Sequence, residues 1–339
     1  MTVLVTGGCG YIGSHICVKL LAHGLDVLIV DDLSNSRHDV IERIAQIAGR
    51  RPRFARIDIA DSRALGQAIE GESIESVVHL AGRKGVAESV REPDLYGRAN
   101  LVGTATVRAA TKGRPFVFSS SATVYGEPAA CPVGEDAATD PTNPYGASKL
   151  ACERMLIDSA RGSPGERLVI LRYFNPVGAH ESGMLGDDPI GEPQNLMPRI
   201  ERVAARLEPA LIIHGNDYPT RDGTAIRDYV HVEDIAAAHV GALAAGHDRP
   251  LILNLGSEQG ATVREVVHAF ETATGLPIPT VQGRRRPGDV ASLWADATRA
   301  RQVLGWIPGH TLQDACTDAM RWRRFWSRHL QQPSGHPKS

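Results

Sequence analysis

The stretch Gly7-Gly8-Cys9-Gly10-Tyr11-Ile12-Gly13 decides the fold, because it joins an apolar, β-branched run (Thr2 to Thr6) to an amphipathic segment. Glycines at this spacing allow a sharp turn, a close approach of the backbone to a pyrophosphate, and tight packing of a helix on a sheet. The first amides of the helix would then face an anion. Asp31 ends the next predicted strand, where this fingerprint places an acidic residue. The pattern predicts a dinucleotide-binding unit.

The rest of the first half alternates short apolar runs with amphipathic segments. Predicted strands are 2-6, 27-31, 54-57, 76-81, 115-119 and 168-172, and predicted helices are 11-23, 38-47, 62-69, 89-110 and 144-161. Such alternation builds a doubly wound parallel sheet with helices on both faces, and ligands bind at the carboxyl ends of its strands. We predict an α/β fold of the Rossmann type with a smaller C-terminal substrate-binding lobe.

The domain boundaries follow from a loosening of this pattern beyond about residue 175. We expect a dinucleotide-binding domain over 1-175, which a later segment near 226-255 rejoins. The substrate-binding lobe is expected over 176-330, with helices at 232-245, 262-274 and 311-328. Residues 331-339 are polar and rich in proline, and they are expected to form a flexible tail.

Composition excludes several classes of protein. The 339 residues carry 37 basic and 39 acidic side chains, so there is no global positive charge to hold a nucleic acid. No apolar run approaches the roughly 20 residues of a membrane span. The five cysteines are odd in number and lack a C-x-x-C pair, and the chain begins with a strand rather than a signal peptide, which predicts a reduced, cytoplasmic protein. The histidines show no metal-ligating spacing, so no metal is predicted.

The cofactor is indicated by the residues at the strand ends. A carboxylate at Asp31 would accept hydrogen bonds from ribose hydroxyls and repel a 2'-phosphate, which favours NAD over NADP, whereas the nearby Arg37 argues the other way. The small residues of Leu80-Ala81-Gly82 would let a cofactor lie against the backbone. Asp58, after the third strand, could reach the adenine edge.

Tyr145 and Lys149 lie one helical turn apart and therefore on one face. Asn143 or Thr142 can cap this helix. A free tyrosine titrates near about 10, and a lysine ammonium with a positively charged nicotinamide would lower that pKa enough for base catalysis. Three serines, 119 to 121, end the fifth strand on the side where ligands bind, and Ser121 is the expected donor to the substrate oxygen.

A Ser, Tyr and Lys set downstream of a dinucleotide fold resembles the extended short-chain dehydrogenase/reductase family. Within it, the chain is similar to the UDP-hexose 4-epimerases through about residue 325. The stretches that carry this resemblance are Gly7 to His15, Phe118 to Gly126, Leu171 to His180, Asn195 to Pro198, Gly215 to Thr220, Arg227 to Val232 and Trp294 to Asp296.

The resemblance implies tightly held NAD and interconversion of UDP-galactose and UDP-glucose through a 4-keto sugar. It makes Tyr145 the base at the 4'-hydroxyl, Ser121 a donor to the same oxygen, and Lys149 the residue that tunes the tyrosine and holds the nicotinamide ribose. The implied cofactor-binding set is Gly7, Gly10, Tyr11, Ile12, Gly13, Asp31, Asp32, Asn35, Ser36, Asp58, Ile59, Leu80, Ala81, Gly82, Lys84, Tyr145, Lys149 and Phe174.

The resemblance also implies the substrate-binding residues and a partner. The implied set is Lys84, Ser121, Tyr145, Asn175, Asn195, Leu196, Arg227, Arg286, Asp289 and Leu293. Two arginines of this set match diphosphate-binding positions, and guanidinium groups suit phosphate oxygens. The expected partner is a second copy, through a bundle of the helices at 89-110 and 144-161.

Three departures from the family pattern matter. Ala99-Asn100 replaces an Asn-Asn pair whose first amide usually helps to bind cofactor. Leu293 stands where some bacterial members have a tyrosine that narrows the sugar pocket, so we expect some activity on UDP-GlcNAc and UDP-GalNAc. One residue is missing between Ser121 and Tyr145, which a loop should absorb.

Three other functions fit parts of the sequence. A sugar-nucleotide 4,6-dehydratase shares the fold but typically carries Asp-Glu directly after the strand-five Ser/Thr, because elimination needs an acid and a base. Ala122-Thr123 occupy that place, and the missing glutamate also argues against the UDP-glucuronate decarboxylases. A non-catalytic NAD-sensing protein would keep the glycines and lose the tyrosine or the lysine, and both are present.

Overall fold

The seven-stranded parallel sheet organises the molecule. The computed structural model describes residues 1–162, 165–247, 249–286 and 288–331, so nearly all of the predicted tail lies outside the described residues. The strands of the main sheet are β1 (Thr2–Thr6), β2 (Asp26–Asp31), β3 (Arg53–Arg56), β4 (Ile74–His79), β5 (Phe116–Ser121), β6 (Leu168–Tyr173) and β10 (Leu251–Leu255). Their order is β10-β6-β5-β4-β1-β2-β3, with every neighbouring pair parallel. The predicted α/β fold is confirmed.

Helices cover both faces of this sheet. They are α1 (Tyr11–Ala22), α2 (Val40–Ala48), α3 (Ser62–Ile69), α4 (Val86–Arg91), α5 (Pro93–Tyr96), α6 (Gly103–Ala110), α7 (Pro144–Arg161) and α9 (Val232–Ala244). One apolar core joins the sheet to α1, α2 and α9 through residues such as Ile16, Ile44 and Ile235. A second core lies on the opposite face, with Leu65, Val107 and Leu156 of α3, α6 and α7. Burial on both faces explains why central strands such as β1, β2 and β6 are mostly apolar, whereas the edge strand β3 is not.

The continuous helix predicted over 89-110 is wrong. Helix α4 ends at Arg91, α5 begins at Pro93, Gly97–Val102 form a π-helical segment, and α6 begins at Gly103. Proline lacks a backbone N–H and cannot continue the hydrogen-bond ladder of α4. The wider π turn carries Asn100, whose side chain is almost fully buried, and π segments are frequent at functional sites.

The segment 226-255 contributes strands to two different sheets. Strand β10 pairs with β6 in the main sheet. By contrast, β9 (Ile226–His231) belongs to a small sheet with β7 (Asn175–Val177), β11 (Gly260–Thr262) and β13 (Ser292–Leu293). The intervening α9 packs in the core beside α1. The chain therefore crosses between the two lobes more than once.

The smaller lobe has its own apolar core. Its remaining elements are α8 (Leu196–Ala204), β8 (Leu211–His214), α10 (Val263–Thr274), β12 (Thr280–Gly283) and α12 (Leu312–Gln331), whereas α11 (Thr298–Leu304) packs through Ala300 in the core of the main sheet. Ile200, Phe270 and Cys316 bring α8, α10 and α12 together. Helix α12 also carries Trp322 and Trp326, which stack 5.3 Å apart. Among the described residues, no helix combines the length and apolar character needed to cross a membrane.

Candidate active site

The glycine-rich loop is as tight as its spacing predicts. Gly7 has φ +73°, and a Cβ there would lie 2.7 Å from the backbone N of Ala81. A Cβ on Gly13 would lie 2.2 Å from the carbonyl oxygen of Gly7. Gly10 precedes α1 without a capping side chain, and the first turn of α1 holds no acidic residue. The amides at this helix start are therefore available to an anion.

The first two residues of α1 are implied cofactor contacts that the structure places at this loop. The hydroxyl of Tyr11 donates to the carbonyl oxygen of Gly178, 2.7 Å away, which ties the loop to the segment after β7. Burial raises the pKa of Tyr11 well above its ordinary value, so the phenol stays protonated. Ile12 is half-buried and packs against the core beneath α1.

Asp31 closes the glycine-rich loop onto the loop after β2. Its carboxylate accepts hydrogen bonds from the backbone N–H of Cys9 at 3.0 Å, the backbone N–H of Leu33 at 2.9 Å and the hydroxyl of Ser36 at 2.9 Å. Burial raises the pKa of Asp31, and these three hydrogen bonds oppose the shift. Asp32 is exposed and accepts from the backbone N–H of Ser34 instead.

A segment that the sequence analysis did not assign to the site, residues 185–189, lines the pocket opposite the glycine-rich loop. Asp188 accepts from Nε of Arg37 at 2.8 Å, and Asp187 lies 3.7 Å from Nζ of Lys84. The guanidinium of Arg37 also lies over the ring of Trp326. Arg37 is thus engaged by a carboxylate, which weakens its case as a receptor for a 2'-phosphate. Two adjacent aspartates in a Gly/Pro-rich segment were the signal available in the sequence.

Neighbouring implied contacts occupy the ends of β2, β3 and β4. The side-chain oxygen of Asn35 accepts from the backbone N–H of Ile190 at 3.4 Å, which links it to the same segment. The backbone N–H groups of Leu80 and Ala81 both donate to the carbonyl oxygen of Thr6. These contacts join the end of β1 to the residues after β4 and tie the loop after β2 to the segment that follows residue 185.

Asp58 and Ile59 have other partners within the protein. Asp58 accepts from Arg98 at 3.0 Å on the surface. Ile59 is buried beneath Gly103, where a Cβ would lie 2.6 Å from its Cδ1. Asp58 thus holds the π-helical segment and Ile59 its junction with α6.

Of the pair Ala99-Asn100, which replaces the family's Asn-Asn, only Asn100 makes side-chain hydrogen bonds. The side-chain oxygen of Asn100 accepts from the backbone N–H of Arg83 at 2.8 Å, and its amide donates to the hydroxyl of Ser148 at 2.8 Å. Gly82 is required beside it, because a Cβ at Gly82 would lie 2.7 Å from the Asn100 oxygen. Asn100 therefore ties the loop after β4 to α7, whereas Ala99 offers no polar side chain.

The Ser, Tyr and Lys set is assembled by the approach of α7 to the end of β5. Asn143 caps α7 by accepting from the backbone N–H of Gly146 at 2.9 Å. A Cβ on Gly146 would lie 2.8 Å from the carbonyl oxygen of Thr123, so this glycine lets α7 pack against the 3₁₀ turn Ala122–Tyr125. The Ser121 side chain is thereby close enough to Tyr145 to lower the pKa of its phenol against the effect of burial.

Burial dominates the electrostatics of this set. Burial raises the pKa of Tyr145, and only the hydrogen bond from Ser121 opposes the shift. Burial also lowers the pKa of Lys149, whose ammonium donates to the carbonyl oxygen of Ser119 at 2.9 Å. The expected lowering of the tyrosine pKa is therefore absent from the protein by itself. The positive charge of a bound nicotinamide would supply it.

A buried ion pair beneath the site was missed by the sequence analysis. Arg172 donates from Nε and Nη2 to the two carboxylate oxygens of Glu153, at 3.0 and 2.6 Å. The hydroxyl of Ser120 also donates to Glu153, at 2.5 Å, and Nη1 of Arg172 donates to the hydroxyl of Tyr125. The pair links the ends of β5 and β6 to α7. A Glu one turn beyond Lys149 was its available sequence signal.

Several of the implied substrate residues lie at the mouth of the cleft. Arg227 lies 3.9 Å from Asp289, and Nη1 of Arg286 donates to the carbonyl oxygen of Gln194 at 3.3 Å. Asn195 follows directly and precedes α8, which starts at Leu196. Leu293 stands apart from this group, buried in an apolar cluster that also holds Phe174, an implied cofactor contact. Asn175, next to Phe174, is exposed at the start of β7.

These features fit a dinucleotide such as NAD. The glycine-rich loop leaves space that a Cβ would fill, the α1 amides suit a pyrophosphate, and Asp31 stands where ribose hydroxyls are bound. Lys149 and Tyr145 lie deeper, at the carboxyl end of β5, where the nicotinamide would bind. Among the described residues, no group of three or more His, Cys, Asp or Glu side chains could hold a metal ion.

Known proteins resemble nearly the whole chain. A family model described as GDP-mannose 4,6 dehydratase matches residues 4–319. A UDP-glucose 4-epimerase of Neisseria gonorrhoeae is 46% identical over 328 residues, covering 95% of this chain and 97% of that protein. The UDP-glucose 4-epimerase of Bacillus subtilis is 44% identical over 331 residues, covering 95% and 97%. The crystal structure of a UDP-glucose-4-epimerase from Stenotrophomonas maltophila, with bound NAD and formylated UDP-arabinopyranose, has a TM-score of 0.95 at 46% identity and covers 97% and 99%.

The fold and the site define the class of this protein. A doubly wound parallel sheet, a glycine-rich loop and a Ser, Tyr and Lys set are together typical of the extended short-chain dehydrogenase/reductase enzymes. Although the family model is described as a dehydratase, this chain lacks the acid and the base that dehydration needs, because Ala122 and Thr123 stand at their positions. Within the class, the chain belongs to the UDP-glucose 4-epimerase family.

Proposed function

We propose that this protein interconverts UDP-galactose and UDP-glucose by inverting C4' of the hexose through a 4-keto sugar. The observation that carries this proposal is the set Ser121, Tyr145 and Lys149, held at the carboxyl end of β5 beside a dinucleotide-binding loop. NAD, when bound in this cleft, supplies the reversible hydride acceptor. The protein's side chains supply the proton transfer and the positioning.

Tyr145 carries out the proton transfer. Its phenolate oxygen would take the proton from the 4'-hydroxyl, and the phenol would return that proton to the same oxygen after the sugar has turned. Ser121 donates a hydrogen bond to this oxygen. Lys149 holds a positive charge within the site, with its ammonium fixed at 2.9 Å from the carbonyl oxygen of Ser119.

Inversion requires that the nucleotide is bound tightly while the hexose remains free to rotate in the site. Arg227 and Arg286 supply guanidinium groups for the diphosphate, and Asp289 would hold the uridine ribose. The apolar side chains of Phe174 and Leu293, buried beside the catalytic set, offer the hexose few hydrogen bonds. The sugar is then free to present either face of C4' to the same hydride acceptor.

The direct test uses purified protein without added NAD. UDP-galactose should be converted to UDP-glucose, followed by NMR of the C4' epimers, and the Tyr145→Phe variant should lose turnover while it keeps its bound cofactor. Bound NAD without turnover in the wild type would indicate a non-catalytic NAD-sensing protein. A 4-keto-6-deoxy product would indicate a dehydratase.

We also propose activity on UDP-GlcNAc and UDP-GalNAc. Leu293, on β13, is 7% exposed and packs in the cluster of Phe174 and Leu150 beside the site. A leucine is smaller than a tyrosine and leaves room for a 2-acetamido group. Conversion of UDP-galactose without any turnover of UDP-GalNAc would refute this breadth.

We further propose a homodimer in the cytoplasm. Val86, Val90 and Val102 of α4 and the π-helical segment are exposed by 40%, 64% and 49%, which would suit a helix bundle formed with α7 of a second copy. Light scattering should give twice the mass of the chain, and Val90→Glu should give a monomer.

The cysteines support the cytoplasmic location. All five are unpaired, as suits a reducing compartment.

A further inference from the structure

The hydroxyl oxygen of Ser121 has an unusual set of partners. It accepts from the backbone N–H of Thr123 at 3.3 Å and from the hydroxyl of Thr123 at 3.0 Å. Ser121 precedes the 3₁₀ turn Ala122–Tyr125, so the first of these bonds is an ordinary cap. The second requires a hydroxyl at position 123.

A serine hydroxyl offers one donor and two acceptor positions. Thr123 occupies both acceptor positions. The hydrogen bond that Ser121 can still make is therefore one in which it donates its own proton. Tyr145 lies within reach of that proton, since the Ser121 side chain lowers the pKa of the Tyr145 phenol against the effect of burial. A hydroxyl that already accepts two hydrogen bonds is polarised and becomes a stronger donor.

The turn that carries Thr123 is held on two sides. Ala122 and Val124 are 4% and 0% exposed, whereas Thr123 lies between them and is half-buried on the side of the site. The carbonyl oxygen of Thr123 packs against Gly146 of α7, as its 2.8 Å approach to a Cβ there indicates. The hydroxyl of Thr123 is therefore fixed relative to both Ser121 and Tyr145.

We propose that Thr123 is a positioning residue that makes the Ser121 hydroxyl a dedicated donor to the reacting sugar oxygen. This inference rests on the proposed epimerase function and deepens it. It gives a role to the residue that occupies the place of the dehydratase base. Thr123 acts through Ser121 and takes no part in proton transfer.

The test compares Thr123→Val, which keeps the shape and removes the hydroxyl, with Thr123→Ser, which keeps the hydroxyl. With UDP-galactose, Thr123→Val should lower kcat about three- to tenfold, as expected for one hydrogen bond, while KM stays within about twofold. Thr123→Ser should restore kcat to within about twofold of wild type. Circular dichroism and thermal unfolding show whether each variant folds.

A double-mutant cycle provides the sharper result. If Thr123 acts only through Ser121, adding Thr123→Val to Ser121→Ala should not lower kcat further. Additive losses, a rise in KM alone, or an equal loss in Thr123→Ser would overturn the role of Thr123. Should Thr123→Val fail to fold, the same cycle with Thr123→Ala decides the matter. Absence of turnover in the wild type would remove the proposed function and this inference with it, whereas equal kcat in wild type and Thr123→Val would remove this inference alone.

Discussion

Gly13→Ala should abolish cofactor retention because of a contact within the glycine-rich loop. The added Cβ would lie 2.2 Å from the carbonyl oxygen of Gly7 and 2.9 Å from Cα of Gly8. Ordinary carbon contacts need about 3.5 Å or more, so the loop must open by about 1 Å. Hydrogen bonds from the loop amides to a pyrophosphate do not survive such a shift. Two lost bonds to a charged group, at about 1.5–3 kcal/mol each, weaken binding by roughly 10²- to 10⁴-fold.

The assay is the NAD content of purified protein, released by heat and measured by enzymatic cycling. Gly66→Ala is the matched control, since Gly66 lies within α3 and nothing lies within 4 Å of a Cβ there. That control should keep its NAD and gain about 0.5–1 kcal/mol of stability from helix propensity. Wild-type NAD content in Gly13→Ala would refute the close approach of helix and loop.

Three other outcomes follow from particular contacts. Glu153→Gln should lower the free energy of unfolding in urea by about 3–5 kcal/mol, because it leaves the buried Arg172 uncompensated; a change below about 1 kcal/mol would contradict the pair. Burial lowers the pKa of His239 to about 4, so its neutral form stabilises the fold above pH about 6.5 and this contribution is lost toward pH 4. The stability gap between wild type and His239→Gln should therefore narrow by about 1.4 kcal/mol per pH unit below pH about 6.5, and a constant gap would contradict it. Leu293→Tyr should reduce UDP-GalNAc turnover about tenfold or more and leave UDP-galactose turnover within a few-fold, whereas equal losses would argue against a size gate.

Local sequence signals sufficed for much of the cofactor-binding half. Gly7, Gly13 and Asp31 lie within one βαβ unit, where each residue's role follows from its place at a turn or strand end. The cap of α7 and the spacing of Tyr145 and Lys149 are also local, since one helical turn fixes them. These are the features that a periodic pattern determines directly.

Contacts between residues that are far apart in the sequence could not be predicted from local sequence patterns. Arg37 and Asp188 pair across 151 positions, and no spacing rule brings such residues together. The break at Pro93 was visible, but the π turn that places Asn100 between Arg83 and Ser148 depends on packing against α7. The direction of the Tyr145 pKa shift required knowledge of burial, which outweighs the hydrogen bond from Ser121.

The most direct test of the account follows the hydrogen at C4' of the sugar. Purified protein with no added cofactor is supplied with UDP-galactose that carries deuterium at C4', and the product is analysed by NMR and mass spectrometry. UDP-glucose should form with the deuterium retained at C4', because one hydride leaves C4' and returns to it without leaving the site. Loss of the label to solvent, or its appearance in free reduced coenzyme, would contradict it.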